Sequence, residues 1–233
     1  AFVSAGTWSL VGTVLEAPCI TDEARELNFT NLGGVGGKIC FLKNVNGTWL
    51  LRQCMDEWEE RGIQLTLEEV LEHCASLRAP LALINVDEPQ LMVPGNTIQK
   101  INAQLEKLGQ PSIGVGRDSC ASLANIIFHS MAARYAEVLG WIGKITGKKL
   151  RRVFIVGGGS QNTLLNQLTA RRTGLEVISG SVESTTIGNF AVQMAALDHD
   201  GVSSSGVTAN SLAKWAERMS ACVLAPSHAR EIN

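Results

Sequence analysis

The chain alternates short runs of β-branched and aromatic residues with longer stretches in which apolar residues recur every three or four positions. One short run, residues 153–156, is followed by three glycines and then by Leu164, Leu165 and Leu168, which are spaced as the buried stripe of a helix. Residues of this kind favour a central strand that is covered on both faces. The pattern therefore predicts a strand, a glycine turn and a helix in immediate succession.

The same patterns predict the other elements of the chain. Residues 1–16 hold two β-rich runs around Ala5-Gly6-Thr7, which is typical of a hairpin, and residues 17–37 are expected to be irregular. Strands alternating with helices through short connections imply a parallel or mixed sheet covered by helices. Further strands are predicted at 38–45 and 174–179, helices at about 47–61, 66–77 (with a Thr66–Glu69 capping box), 97–108, 119–146, 184–197 and 212–222, an extended segment at 79–95 and a polar linker at 198–207.

Composition narrows the class of protein. The 233 residues are 45% apolar and carry a net charge of −2, which is typical of a globular domain and argues against a nucleic-acid binder. No apolar run reaches the length of a membrane span, and no signal-peptide pattern opens the chain. Because the chain starts at Ala1, without Met and inside a predicted strand, we expect it to be the later part of a longer polypeptide.

The cysteines and histidines give no sign of a disulfide framework or a metal site. The six cysteines are scattered without a C-x-x-C pair, and no histidine pair has the spacing of metal ligands. We therefore expect reduced cysteines, a cytoplasmic protein and no metal ligands in this chain. The adjacent acids Asp87 and Glu88 are expected to form a solvated turn and not a catalytic pair.

Candidate chemistry is concentrated at the glycine turn, residues 157–162. Without Cβ atoms the turn can bring backbone N–H groups close to a ligand, and Ser160 and Asn162 are residue types that cap helices. A strand, a glycine turn and a helix N-terminus suit an anion or nucleotide, although a tight turn without a ligand has the same pattern. At the tip of the first hairpin, Gly6 and Thr7 could likewise wrap a phosphate or form a plain turn.

Two motif families fit the glycine turn incompletely. A dinucleotide-binding turn needs a third glycine where Asn162 stands, and Glu176 precedes the apolar residues of its strand, whereas a ribose-binding acid should end it. An esterase elbow at Ser160 also needs a glycine at position 162, and neither His199 nor His228 is suitably placed for its triad.

The segments taken together show a resemblance that no single turn carries. The plan of a phosphate hairpin and a distant glycine turn resembles the actin, sugar-kinase and heat-shock-chaperone superfamily. Within it the chain is similar to the C-terminal half of the FGGY carbohydrate kinases, and most closely to the rhamnulokinase branch. The matching segments span nearly the whole chain in order: 4–10, 31–37, 42–51, 155–168 and 182–189.

The resemblance implies a fold and a set of site residues. It implies an α/β domain of the actin-like, ribonuclease H-like ATPase type, with a mixed sheet and helices on both faces. Residues 1–233 would form a single nucleotide-binding domain. The implied roles are Thr7 at the ATP phosphates, the turn residues Gly157, Gly158, Gly159 and Asn162 at the adenosine, Asn44 at the sugar, and Arg52 at a nucleotide-contacting position that is commonly Gln in the family. Arg cannot accept a hydrogen bond, so at position 52 the contact becomes ionic or is lost.

The resemblance also implies an activity and names what this chain lacks. The whole enzyme would use ATP and Mg²⁺ to phosphorylate L-rhamnulose at its 1-hydroxyl, with the sugar and an N-terminal domain as its partners. The catalytic Asp of the family belongs to a His-Asp-Thr motif that precedes the hairpin and is absent here, so this chain alone is expected to be inactive. Alternatives are a kinase for another ketose or pentulose, and a non-catalytic, ATP-gated interaction domain.

Overall fold

The computed structural model describes residues 1–198 and 208–224, with side chains of the last helix described up to residue 220. Its framework is a mixed six-stranded sheet with the order β3-β4-β2-β1-β5-β6. β1 pairs in parallel with β5, and β5 with β6, whereas the other neighbours are antiparallel. The strands are β1 (Phe2–Ala5), β2 (Trp8–Leu15), β3 (Thr30–Gly33), β4 (Ile39–Asn46), β5 (Arg152–Val156) and β6 (Glu176–Ser179).

Helices occupy most of the chain between and after the strands. The Thr66 capping box is present, since Glu69 N–H donates to Thr66 Oγ1 at 3.2 Å and Thr66 N–H donates to Glu69 Oε2 at 2.7 Å. In the part of the chain that the structure describes, no helix combines the length and apolarity needed to cross a membrane. The helices are α1 (Asp22–Glu26), α2 (Trp49–Glu60), α3 (Leu67–Ala75), α4 (Thr97–Lys107), α5 (Arg117–Thr146), α6 (Thr163–Thr173), α7 (Ser184–Leu197) and α8 (Ala209–Leu224), with short 3₁₀ turns at Val35–Gly37, Pro89–Met92 and Gly158–Gln161.

The predicted hairpin, strands and helices are confirmed, but residues 17–37 are not irregular as expected. They contain α1, capped by Thr21 Oγ1 accepting from Ala24 N–H, and β3, which pairs with the edge of β4. Both elements are short and largely exposed, so neither has the apolar periodicity by which a sequence signals structure. The predicted linker lies outside the described residues, apart from Asp198.

The core lies between the sheet and α5. Within the helix predicted at 119–146, apolar residues recur every three or four positions, which predicts a buried stripe. This stripe is confirmed, because its members are all fully buried: Leu123, Ile127, Met131, Tyr135, Val138 and Ile142. On the sheet side, Val153 and Ile155 of β5 are also fully buried, whereas Phe154 on the opposite face is 43% exposed. The expectation that β5 is covered on both faces is therefore wrong, since only one of its faces is fully packed.

A buried hydrogen bond ties the first hairpin to this core. The Ser9 hydroxyl on β2 and the Tyr135 hydroxyl on α5 lie 2.6 Å apart, both within the core. Burial raises the pKa of Tyr135 to about 12, so the phenol is neutral across the physiological range. The bond fixes β2, and with it the hairpin tip, against the longest helix of the domain.

We expect Tyr135→Phe to destabilise the fold by about 1–3 kcal/mol, because it leaves the buried Ser9 hydroxyl without a partner. The measurement is the free energy of unfolding from urea titration. The double variant Ser9→Ala/Tyr135→Phe removes both polar groups and should recover much of the loss. Equal stability of Tyr135→Phe and the wild type would contradict this assignment.

Candidate functional site

A cavity of about 530 Å³ lies where the hairpin tip, α2 and the glycine turn meet. Five of the six residues predicted to contact a nucleotide line it, and they come from parts of the chain that are far apart in sequence. These are Thr7, Arg52, Gly158, Gly159 and Asn162. The sixth residue, Gly157, does not line the cavity.

The three glycines of the turn differ in what surrounds them. Gly157 has a φ of +82°, and a Cβ there would lie 2.7 Å from the carbonyl oxygen of Ala5. A Cβ on Gly159 would lie 2.6 Å from the Cβ of Ala5. A Cβ on Gly158, in contrast, would meet no atom within 4 Å. Gly157 and Gly159 therefore allow the turn to pack on β1, whereas Gly158 faces open space in the cavity.

Hydrogen bonds hold the turn in place from behind. Ser160 Oγ donates to Gly180 O at 3.0 Å, and Ser179 Oγ donates to Ser160 O at 2.7 Å. Asn162 Oδ1 accepts from Leu165 N–H at 2.9 Å, so the predicted capping role is confirmed for Asn162. Ser160 serves instead to tie the turn to the end of β6.

These contacts decide between the motif alternatives. Ser160 is only 2% exposed and donates its hydroxyl hydrogen to a carbonyl, so it lacks the exposure that an esterase nucleophile needs. Glu176 is the first residue of β6, at the end of the strand away from the glycine turn. It is therefore not placed to bind the ribose of a dinucleotide.

The hairpin tip is held by the start of α2. Thr48 N–H and Thr48 Oγ1 both donate to Gly6 O, at 3.1 and 3.0 Å, and Trp49 N–H donates to Thr7 O at 3.1 Å. These bonds use backbone groups of the tip, so they fix it whatever side chains it carries. They bring the exposed Thr7 and the first turns of α2, with Arg52, to the same cavity.

Arg52 lies at the rim of the cavity and already has a partner. Its guanidinium forms an ion pair of 2.8 Å with Asp56, one turn along α2, and both side chains are well exposed. An exposed pair of this kind contributes roughly 0–1 kcal/mol and is easily exchanged for another partner. Arg52 is therefore free to turn towards an anionic ligand, at the small cost of its bond to Asp56.

The apolar wall of the cavity was missed by sequence reasoning. Leu51 and Met55 are one turn apart on α2 and both line the cavity. In the sequence, the apolar residues Trp49, Leu50, Cys54 and Trp58 form the stripe of this helix, so Leu51 and Met55 are additional apolar positions, and these are the signal that could have revealed a second face. Gly6, which the sequence had already suggested for a phosphate contact, also lines the cavity. The remaining lining residues, for which no role was predicted, are Thr48, Leu67, Leu71, Phe128 and Gln161.

Asn44 lines a different cavity, of about 1050 Å³, on the other side of the hairpin tip. The two cavities share no lining residue, but the consecutive residues Thr7 and Trp8 each line one of them. The hairpin tip therefore stands between the two cavities. The second cavity is lined by Trp8, Asn28, Lys43, Asn44, Ile84, Asn85, Val86, Asp87, Met92, Ser130, Ala133, Arg134 and Glu137.

Asp87 is not the solvated turn residue that the sequence suggested. Its side chain is 14% exposed, and its carboxylate accepts from Arg134 Nε at 2.6 Å and from the backbone N–H of Asn46 at 2.8 Å. Arg134 also forms an ion pair with Glu137 and lies over the ring of Trp141. The carboxylate therefore clamps the end of β4 to α5, next to Asn44.

Lys43 adds a cation to the same cavity. Its ammonium group donates to the carbonyl oxygen of Leu27 at 2.8 Å. Partial burial, reinforced by the nearby positive charge of Arg134, lowers the pKa of Lys43 from its ordinary value. The charges of Lys43 and Arg134 are matched by those of Asp87 and Glu137, so the cavity wall is polar but close to neutral.

The residues lining the smaller cavity do not suit the Mg²⁺ that the resemblance implies. Proteins usually bind Mg²⁺ through one or two carboxylates together with phosphates and waters, and no carboxylate lines this cavity. Among residues 1–198 and 208–220, no three side chains of His, Cys, Asp or Glu cluster as a metal site would require. We assign no metal ligand to this chain.

Comparison with known proteins agrees with this architecture. Residues 1–197 match the C-terminal domain of the FGGY family of carbohydrate kinases. Over 193 residues the chain is 38% identical to a rhamnulokinase from Bacteroides thetaiotaomicron, covering 83% of this chain and 38% of that protein. A ligand-bound xylulose kinase from Lactobacillus acidophilus has a similar fold, with a TM-score of 0.53 at 12% identity, covering 94% of this chain and 45% of that one. A gluconate kinase from the same organism aligns with a TM-score of 0.49 at 14% identity, covering 76% of this chain and 34% of that one.

The chain belongs to the FGGY family of carbohydrate kinases and contains their C-terminal domain. Within that family it is similar to rhamnulokinase, as the sequence segments suggested. The mixed sheet and its helices confirm the α/β sugar-kinase fold. The chain spans 38% of the length of the matched rhamnulokinase.

Proposed function

We propose that this chain is the ATP-binding domain of a kinase that transfers the γ-phosphoryl group of ATP to the 1-hydroxyl of L-rhamnulose. The observation that carries the proposal is the convergence of Thr7, Arg52, Gly158 and Asn162 on one cavity, next to a polar cavity that holds Asn44. The similarity to a protein named rhamnulokinase supports the choice of sugar.

The smaller cavity suits a nucleotide in size and in the distribution of its groups. Its volume of about 530 Å³ lies in the range of small-molecule sites. Leu51, Met55 and Leu71 supply apolar surface for a base, and the open backbone at Gly158 lets a flat ligand approach closely. The Thr7 hydroxyl is placed to donate to a phosphate, and Arg52 can add charge at the rim.

The arrangement of the two cavities supports phosphoryl transfer. That reaction depends mainly on positioning the donor and the acceptor and on neutralising charge. The ATP phosphates would end at Thr7, and the sugar hydroxyls would meet Asn44 beyond the hairpin tip. An amide can both donate to and accept from hydroxyl groups, which suits Asn44 for a sugar.

This chain supplies no catalytic base in our proposal. A general base must lie within hydrogen-bond reach of the attacking hydroxyl, and in the family that the chain resembles this base is a carboxylate. Two acids line the cavity of Asn44: Asp87 already accepts from Arg134 and from Asn46 N–H, and Glu137 is paired with Arg134. The base would come from the part of the protein that precedes this chain, so the chain binds nucleotide without phosphorylating sugar.

The described cysteines are free, which fits the cytoplasmic location that we propose.

We expect the full-length protein to release ADP from ATP in a manner that depends on L-rhamnulose, and residues 1–233 alone to show no such turnover. A coupled ADP-release assay on both proteins makes the measurement. ATP hydrolysis by the full protein that is indifferent to sugars would favour an ATP-gated interaction domain. A strong preference for another ketose would correct the substrate, and sugar-dependent turnover by residues 1–233 would place the base within this chain.

We expect Gly158→Val to weaken ADP binding at least tenfold while leaving the fold intact, because its side chain enters open space in the cavity. Titration calorimetry on the full-length protein measures the affinity. Gly33→Val is the matched control, since position 33 is equally open but lines neither cavity. Unchanged ADP affinity in Gly158→Val would remove the turn from the nucleotide site.

We expect Asn44→Ala to raise the KM for L-rhamnulose about tenfold and to leave the KM for ATP nearly unchanged, since a lost neutral hydrogen bond costs about 1–2 kcal/mol. Steady-state kinetics with each substrate varied in turn makes the comparison. Asn210→Ala, an exposed site on α8 that lines neither cavity, is the control. A normal KM for sugar with a raised KM for ATP would move Asn44 to the nucleotide side.

A further inference from the structure

Trp8 is the aromatic residue that lines the cavity of Asn44. It begins β2 directly after Thr7 and is 42% exposed, so its indole is not part of the core. Among the described residues it has neither a stacked aromatic partner nor a cation over its ring. A large apolar side chain at the mouth of a polar cavity is placed to contact whatever enters the cavity.

The register of the sheet puts Trp8 next to Asn44. On β2 and β4, Trp8 pairs with Asn46 and Leu10 pairs with Asn44, so Trp8 and Asn44 are diagonal neighbours on the same face. Diagonal neighbours in an antiparallel pair lie about 7–8 Å apart, which is within reach of an aromatic side chain. A ligand that bonds to the Asn44 amide can therefore also touch the indole.

The walls of this cavity are divided between polar and apolar groups. Asn44, Asn85 and Asp87 contribute amide and carboxylate groups to the wall. Trp8 and Met92, both substantially exposed, contribute apolar surface. A ligand that matches both kinds of group has several hydroxyls and one apolar end.

We propose that Trp8 stacks on the apolar face of the sugar and, with Met92, forms the wall that receives the terminal methyl group of a 6-deoxyketose. This inference rests on the proposed function, in which Asn44 faces L-rhamnulose. L-Rhamnulose is L-fructose without its 6-hydroxyl, so the two sugars differ only at the group that this wall would contact. The wall leaves a 6-hydroxyl facing apolar surface without a partner, and this selects the deoxy sugar.

The magnitude of this selection is limited by its mechanism. An apolar pocket rejects an isostere carrying one additional hydroxyl by a factor of about 100 at most. We therefore expect the wild-type enzyme to favour L-rhamnulose over L-fructose by about 10–100-fold in kcat/KM. Trp8 would carry most of that ratio, because its ring supplies the larger apolar surface.

The test compares both sugars on the full-length protein and its variants. Trp8→Ala should lower kcat/KM for both sugars because the stacking contact is lost, should lower it about tenfold more for L-rhamnulose than for L-fructose, and should leave the KM for ATP unaltered. Trp8→Phe, which keeps a smaller ring, should fall between Trp8→Ala and the wild type. Phe154→Ala is the matched control, because Phe154 is an equally exposed aromatic residue on the same sheet face but lines neither cavity.

A variant of the second apolar residue, Met92, tests the same contact without removing the indole. Met92→Gln keeps the length of the side chain and offers a hydrogen bond to a 6-hydroxyl, so it should shift the ratio towards L-fructose by severalfold. Because Met92 is exposed, this variant should fold normally even if Trp8→Ala does not.

The outcomes separate this inference from the proposed function. Sugar-dependent turnover with unchanged kinetics in the Trp8 variants would falsify the contact while leaving the kinase intact. An equal loss for both sugars in Trp8→Ala, together with an unchanged ratio in Met92→Gln, would overturn the selection of the methyl group. A wild-type protein that phosphorylates neither sugar would overturn the proposed function, and the role of Trp8 with it.

Discussion

The close packing of the glycine turn on Ala5 is the contact on which the rest of the site depends. β1 and β5 are parallel neighbours, so the chain leaves both strands at the same edge of the sheet. The turn after β5 can lie against the end of β1 only because Gly157 and Gly159 carry no Cβ, which would come within 2.7 Å of Ala5. This contact leaves Gly158 as the open position and aims it at the cavity between the turn and α2.

A second set of long-range bonds fixes the other side of the cavity. The start of α2 binds the backbone of the hairpin tip, and Ser9 ties the same hairpin to Tyr135 in the core. Asp87 joins the end of β4 to Arg134 on α5. α5 thereby forms part of the wall of both cavities, and the hairpin tip between them is held by backbone groups. These long-range bonds set the position of the hairpin tip relative to the two cavities.

In the proposed kinase this domain supplies one side of the active site. It offers a nucleotide cavity, a phosphate-facing hairpin tip and an amide beside an amphipathic cavity, and it holds its own nearest carboxylate in an ion pair. Because the nucleotide cavity and the base would lie on different domains, nucleotide could bind to this domain alone, whereas phosphoryl transfer would need the base of the opposing domain. Closure of two domains around the substrates also excludes water from the phosphates.

The sequence by itself determined the features whose cause lies within a few residues. The capping box of Thr66 and Glu69, the Asn162 cap and the apolar stripe of α5 are local in origin, and all were predicted and confirmed. The quoted segments also identified the family, since their order along the chain is itself sequence information. Only the tertiary structure decided the environment of Asp87, because its partner Arg134 lies 47 residues away. It also decided the exposure of Phe154, the pairing of β3 and the separate surroundings of Gly157, Gly158 and Gly159. Each of these depends on which distant segment packs alongside, and local propensity carries no information about that choice.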